Sequence, residues 1–118
     1  MTPPARRPLQ LQVERRTDAA VVKISGSVSM AEAEKLRASL EALAAERVPL
    51  IVLDLNEMDF ISSLGLGAII SGHLKCRHHQ GQIRLVRPTP PVRELLETTR
   101  LNKLFGVYDN LEQALPQP

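Results

Sequence analysis

The sequence predicts a single α/β domain with a mixed, mostly parallel sheet covered by helices, in the order β-β-α-β-α-β-α-β-α. Three observations carry that reading. Apolar residues alternate with polar ones at the start, a nearly unbroken apolar run from Pro49 to Leu55 occupies the middle, and segments of helical period separate the strand-like ones. Alternation of strand and helix after an opening hairpin implies parallel strands joined by crossover helices. At 118 residues, with 43% hydrophobic and 24% charged residues, the chain has the size and composition of one globular domain.

Residues 1–8, rich in Pro and Arg with nothing to bury, read as a flexible extension, so that the domain spans 9–115 and residues 116–118 form a tail. Leu9, Leu11 and Val13 alternate with Gln10, Gln12 and Glu14, the signature of a half-buried strand. Arg15 to Asp18 turns the chain into a second strand, Ala20 to Ile24, and the short spacing favours an antiparallel hairpin at one sheet edge. Gly26-Ser27-Val28-Ser29 breaks the pattern. Ser29 is placed to cap a helix over Met30 to Arg47, with Glu32 as its capping-box partner and Ala33, Leu36, Leu40 and Leu43 on the buried face.

Pro49 ends that helix, and the run to Leu55 reads as a central parallel strand buried on both faces. From Ser63 to His79 a second helix places Leu66, Ile69, Ile70 and Leu74 on one side, and Gly81 stops it. Gln82 to Val86 is a strand, Thr89-Pro90-Pro91 opens a helix through Val92, Leu95 and Leu96, and Val107-Tyr108 adds a short strand. Asp109 or Asn110 caps a last helix through Leu111, Ala114 and Leu115.

Composition excludes several functions. With no Trp, one Tyr and two Phe there are few flat side chains on which bases could stack, and a net charge of +2 with scattered basic residues points away from nucleic acid. No apolar run approaches the roughly 18 residues of a membrane span. A single cysteine, Cys76, forms no internal disulfide, and the cytoplasm is the compartment that fits.

The segment Asp59-Phe60-Ile61-Ser62-Ser63-Leu64-Gly65-Leu66-Gly67 places two hydroxyls at a strand-to-helix corner. A helix N-terminus offers unpaired N–H groups and the positive end of the dipole, so a hydroxyl there can cap the helix or carry a phosphate. A hydrolase elbow would need glycine where Ile61 stands, and no suited histidine follows. A dinucleotide fingerprint would need a small residue at Ile70. His73 and Cys76, with His78 and His79 beyond, do not converge as a tetrahedral metal set and read as a polar, exposed helix face. Asp54, Glu57 and Asp59 read as a loop that is solvated and favours the helix N-terminus electrostatically. No cofactor is expected.

This corner resembles the signature of the STAS domain, named for sulphate transporters and anti-sigma factor antagonists, and most of all that of the bacterial antagonists. Those proteins typically read Asp-Ser-Ser/Thr-Gly-Leu-Gly after a strand, and Ser62-Ser63-Leu64-Gly65-Leu66-Gly67 aligns without gaps. Val21 to Gly26, Ile51 to Leu55, Pro91 to Leu96 and Leu101 to Phe105 extend the likeness over nearly the whole domain. Two departures stand out. Ser62 replaces the usual acidic residue, so either hydroxyl is a candidate for modification, and Gly26-Ser27-Val28-Ser29 replaces a turn that commonly carries two carboxylates.

The resemblance implies a STAS-like fold and a binding module that is not itself an enzyme. It implies partner switching: the unphosphorylated form binds an anti-sigma factor that is also a Ser/Thr protein kinase, phosphorylation of Ser63 (alternatively Ser62) releases it, and a Ser/Thr phosphatase restores binding. Ser27, Ser29, Ser62, Ser63, Leu64, Gly65 and Leu66 are the expected partner-binding residues. The alternative is a constitutive STAS subunit of a transport or signalling assembly, in which Ser63 only caps the helix.

Overall fold

The structure, a computed structural model, describes residues 7–116. Its strands are β1 (Gln10–Arg16), β2 (Ala19–Val28), β3 (Leu50–Ile61), β4 (Gln82–Val86) and β5 (Gly106–Tyr108). The helices are α1 (Ala33–Ala45), α2 (Ser63–Arg77), α3 (Pro90–Thr98), α4 (Leu101–Leu104) and α5 (Leu111–Ala114). The strands stand side by side in chain order; β1 pairs β2 antiparallel and every later pair is parallel. The predicted class and element order hold, with α4 as an added short turn of helix.

Sequential strand order decides where the helices go. Each crossover steps in the same direction, and right-handed crossovers then place α1, α2 and α3 on one face of the sheet. The main core lies there: Leu36, Leu40 and Leu43 of α1 and Ile69 and Cys76 of α2 pack on Val22, Ile24, Ile51, Leu53, Ile83 and Leu85. The other face carries a smaller cluster, in which Ala114 of α5 meets Val21, Leu50, Val52 and Val86. β3 is therefore buried on both faces along Leu50 to Leu55, as its unbroken apolar run predicts.

Three expectations about the strands and helices need correction. First, β2 and β3 run well past the predicted ends. The pairing Lys23↔Asp54 becomes Ser25↔Glu57, and Gly26↔Met58 becomes Ser27↔Phe60, so β3 carries an extra residue at each of two bulges. Each bulge resets the alternation, and the buried apolar positions after Leu55 are Met58 and Ile61, spaced by three instead of two. Period-2 reading sees a loop there, and it sees Gly26 as a turn when it sits inside a strand.

Second, the helix ends are set by left-handed residues that are not glycine. Arg47 (φ 60) and Gln80 (φ 66) take the reversing positions, and the next residues donate back into the last turns, Val48 N–H to Leu43 O and Gly81 N–H to Cys76 O. The sequence pointed to Pro49 and Gly81. At the other end of α1, Ser29 Oγ does accept from Glu32 N–H at 3.3 Å, but the turn is irregular and regular helix begins only at Ala33.

Third, α2 is rotated from its predicted setting. His73 and Cys76 are buried, not exposed, while Leu74 is 56% exposed. The His73 ring packs edge-on against Phe105, and its Nδ1 accepts a hydrogen bond from Ile83 N–H at 3.1 Å. That bond needs an unprotonated Nδ1. Burial first, and the Arg77 charge second, hold the His73 pKa below the ordinary 6.5. A base with a lowered folded pKa contributes stability that is complete above the unfolded value and is lost as pH falls below it. The thermal midpoint should therefore drop between about pH 7 and 5, and His73→Gln should flatten that acid limb; an equal slope in the variant would assign it elsewhere.

The predicted flexible extension ends differently from expectation. Arg7 O accepts from Ser27 N–H at 3.0 Å, and the Arg7 guanidinium makes two 2.8 Å bonds to the Asp59 carboxylate and one to Glu57 O. Arg7 and Pro8 thus continue the β1 side of the sheet; the reading for residues 1–6, and for 117–118, lies outside the described residues.

Candidate functional site

The corner between β3 and α2 separates its two serines. Ser62 is extended (φ −79, ψ 169), its N–H donates to Val28 O at 2.8 Å, and its hydroxyl accepts from Gly65 N–H at 3.1 Å. It is the N-cap, and it is 8% exposed. Ser63 is the first residue of α2 and faces solvent. Placing capping on Ser62 leaves Ser63 outside that role, contrary to the alternative in which Ser63 serves only as a cap. Ser62→Ala should destabilise the fold by about 1 kcal/mol, measured by urea unfolding, with Ser62→Asn restoring most of it; unchanged stability would mean the cap is absent.

The glycines around the serines have structural reasons of their own. A Cβ on Gly65 would stand 2.7 Å from Ile61 Cγ1 and 2.8 Å from Val28 Cγ1, so glycine lets the first turn of α2 seat on the sheet end. Leu66 turns inward as well, at 9% exposure. Ser27 is buried, with no partner for its hydroxyl among the described residues. Of the seven expected partner-binding residues, Ser63 and Leu64 are exposed and Ser29 is half-buried, whereas Ser27, Ser62, Gly65 and Leu66 present no side chain to a partner.

Sequence reading missed Met30. It is 66% exposed in the turn before α1 and lies beside 51%-exposed Leu64, where a depression of about 200 Å³ is lined by Met30, Ala33, Glu34, Arg37, Leu64 and Ala68. The available signal was a large apolar side chain between the small residues Ser29 and Ala31, ahead of the periodic run that begins at Ala33. Two large apolar side chains held in water next to an exposed serine form a small contact surface.

The acidic residues nearby do not serve the helix. Asp59 pairs with Arg7, Glu57 with Lys23 at 2.8 Å, and Asp54 with Arg87 at 3.2 Å. Hydrogen bonds from Arg7 and Lys23 hold the Asp59 and Glu57 carboxyls below their ordinary range. The first turn of α2 has no acidic residue, so the dipole end beside Ser63 is uncompensated. Among the described residues no three His, Cys, Asp or Glu side chains gather as a metal set, and no helix is long and apolar enough to cross a membrane.

The comparison with known families decides the assignment: the model of the STAS domain matches residues 10–114. The chain belongs to the STAS domain family. Among relatives of this STAS domain, the anti-sigma F factor antagonist of Paenibacillus polymyxa is 29% identical over 110 residues, covering 92% of this chain and 94% of the relative. A proposed anti-sigma factor antagonist of Bordetella bronchiseptica, BtrV, is 31% identical over 106 residues, covering 90% and 91%. The crystal structure of an anti-sigma factor antagonist from Mycobacterium paratuberculosis superposes with a TM-score of 0.82 at 29% identity, covering 91% of each chain. Within the STAS motif of this chain, one serine caps and its neighbour is displayed.

Proposed function

We propose that this protein is an anti-sigma factor antagonist that works by partner switching, with Ser63 as the phosphorylated residue. The observation that carries the reading is the division of labour at the corner: the Ser62 hydroxyl is engaged by Gly65 N–H, and the Ser63 hydroxyl is exposed at the first position of α2. The names of the relatives at 29% and 31% identity supply the partner class.

In the unphosphorylated form, Ser63, Leu64 and Met30, with Ser29 on the same rim, meet an anti-sigma factor that is also a Ser/Thr kinase. Apolar contact from Leu64 and Met30 favours association. The kinase then transfers the γ-phosphoryl of ATP to Ser63 Oγ, which loses its proton, and ADP leaves. The phosphoserine brings about −1.5 to −2 charge. In the free protein this charge lies at the positive end of α2; in the complex it must be desolvated against the partner, so release follows. A phosphatase hydrolyses the phosphoester and restores the binding form. The protein is the substrate of these reactions rather than an enzyme, acts in the cytoplasm and needs no cofactor.

The test is incubation with the purified anti-sigma-factor kinase and ATP, followed by intact mass and peptide fragmentation. One phosphate on Ser63 with loss of kinase binding is the expected result. Phosphate on Ser62 alone would overturn the residue assignment, and no phosphate with stable association would favour a constitutive subunit.

A further inference from the structure

Three glycines lie in α2, and only two of them are required by this chain. A Cβ on Gly65 would collide with Ile61 and Val28, and one on Gly72 would come within 3.0 Å of Leu40 Cβ. A Cβ on Gly67 would meet nothing within 4 Å among the described residues. Gly67 is exposed in the helix interior and its φ is not positive, so neither crowding nor a left-handed backbone asks for glycine. Glycine there lowers helix stability without any return inside the domain.

A second observation concerns the same face. Before Lys75, the residues of α2 that reach solvent fully or partly are Ser63, Leu64, Gly67, Ile70, Ser71 and Leu74, none of them charged. The outward side of α1, in contrast, carries Glu34, Lys35, Arg37 and Glu41. A surface helix ordinarily puts charge toward water, whereas the centre of a protein interface is depleted of it. Gly67 also follows Ser63 by four residues, which puts the two on one face a single turn apart.

We propose that Gly67 is a specificity-determining residue of the switch: it lets main chain of the anti-sigma-factor kinase approach the α2 backbone one turn below Ser63. The inference rests on the function proposed above and adds the approach that brings the kinase to that hydroxyl. Phosphate on Ser63 is then the first charge on the stretch of α2 before Lys75, one turn from the closest approach.

The experiment measures thermal unfolding, affinity for the ADP-loaded kinase and the rate of Ser63 phosphorylation for the wild type, Gly67→Ala and Gly67→Gln. Gly67→Ala should raise the midpoint by about 4 °C, and Gly67→Gln should be no less stable than the wild type. Binding should weaken about tenfold for alanine and about 100-fold for glutamine, with phosphorylation slowed in parallel. Wild-type affinity in Gly67→Gln, while the wild type switches normally, overturns the role of Gly67 alone. Failure of the wild type itself to bind or be phosphorylated overturns both readings. A Gly67→Gln protein that unfolds more easily than the wild type overturns the premise that space is open there.

Discussion

Ser63→Asp is expected to weaken binding to the anti-sigma-factor kinase proposed above as the partner by about 100-fold, a change of about 2.8 kcal/mol, without harming the fold. The two effects separate because the site is a helix N-terminus. In the free protein a carboxylate at the first position of α2 meets unpaired N–H groups and a first turn that holds no other acid, so stability should stay level or rise by about 0.5 kcal/mol. In the complex the same charge has to leave water beside Leu64 and Met30, which offer it no hydrogen bond. Ser63→Ala should do the opposite: full affinity, no phosphate, and no release on addition of ATP. Calorimetric titration of the three proteins against the kinase checks this, and equal affinity for all three would count decisively against Ser63 as the switch.

Gly26→Ala should be the most destabilising single methyl in the molecule, at about 3 kcal/mol. Gly26 has φ +83, which disfavours any L side chain, and its added Cβ would stand 2.1 Å from Pro8 O and 3.0 Å from Arg7 O. Both obstacles are backbone, which cannot rotate aside. Relief would require lifting residues 7–8 off β2, with loss of the Ser27 N–H to Arg7 O bond and of the Arg7 contacts to Asp59 and Glu57 O. Urea unfolding measures the loss; a variant as stable as the wild type would mean that Arg7 and Pro8 are not seated against Gly26. Since total stabilities run from about 5 to 15 kcal/mol, a loss of this size should be plain in the midpoint.

These two sites differ in how far the sequence reveals them. The Ser62-Ser63 corner is local. A strand, a serine pair and a helix that follow one another between Leu50 and Arg77 can be recognised from adjacent residues, and the family likeness starts from the same stretch. Gly26 looks like an ordinary turn glycine in sequence, because the atoms that require it belong to residues 7 and 8, whose nearness to it exists only once β1 and β2 have paired. His73 is similar: one exposed-looking histidine among several, until α2 packs so that its ring meets Phe105 and Ile83.

The sequence by itself determined the fold class, the order of strands and helices, the central strand buried on both faces, and the serine pair at a helix start. Each of these follows from periodicity, capping chemistry or turn chemistry within a short window, where residue type dictates local backbone and burial. Tertiary structure alone decided which serine caps and which is displayed, that Leu66 turns inward while Leu64 and Met30 stay out, that two bulges carry β3 on to Ile61, and that Asp59 belongs to Arg7. Those outcomes depend on the rotation of α2 about its axis and on the register of β2 against β3. Both are fixed by packing between residues far apart in the chain, which no local pattern encodes.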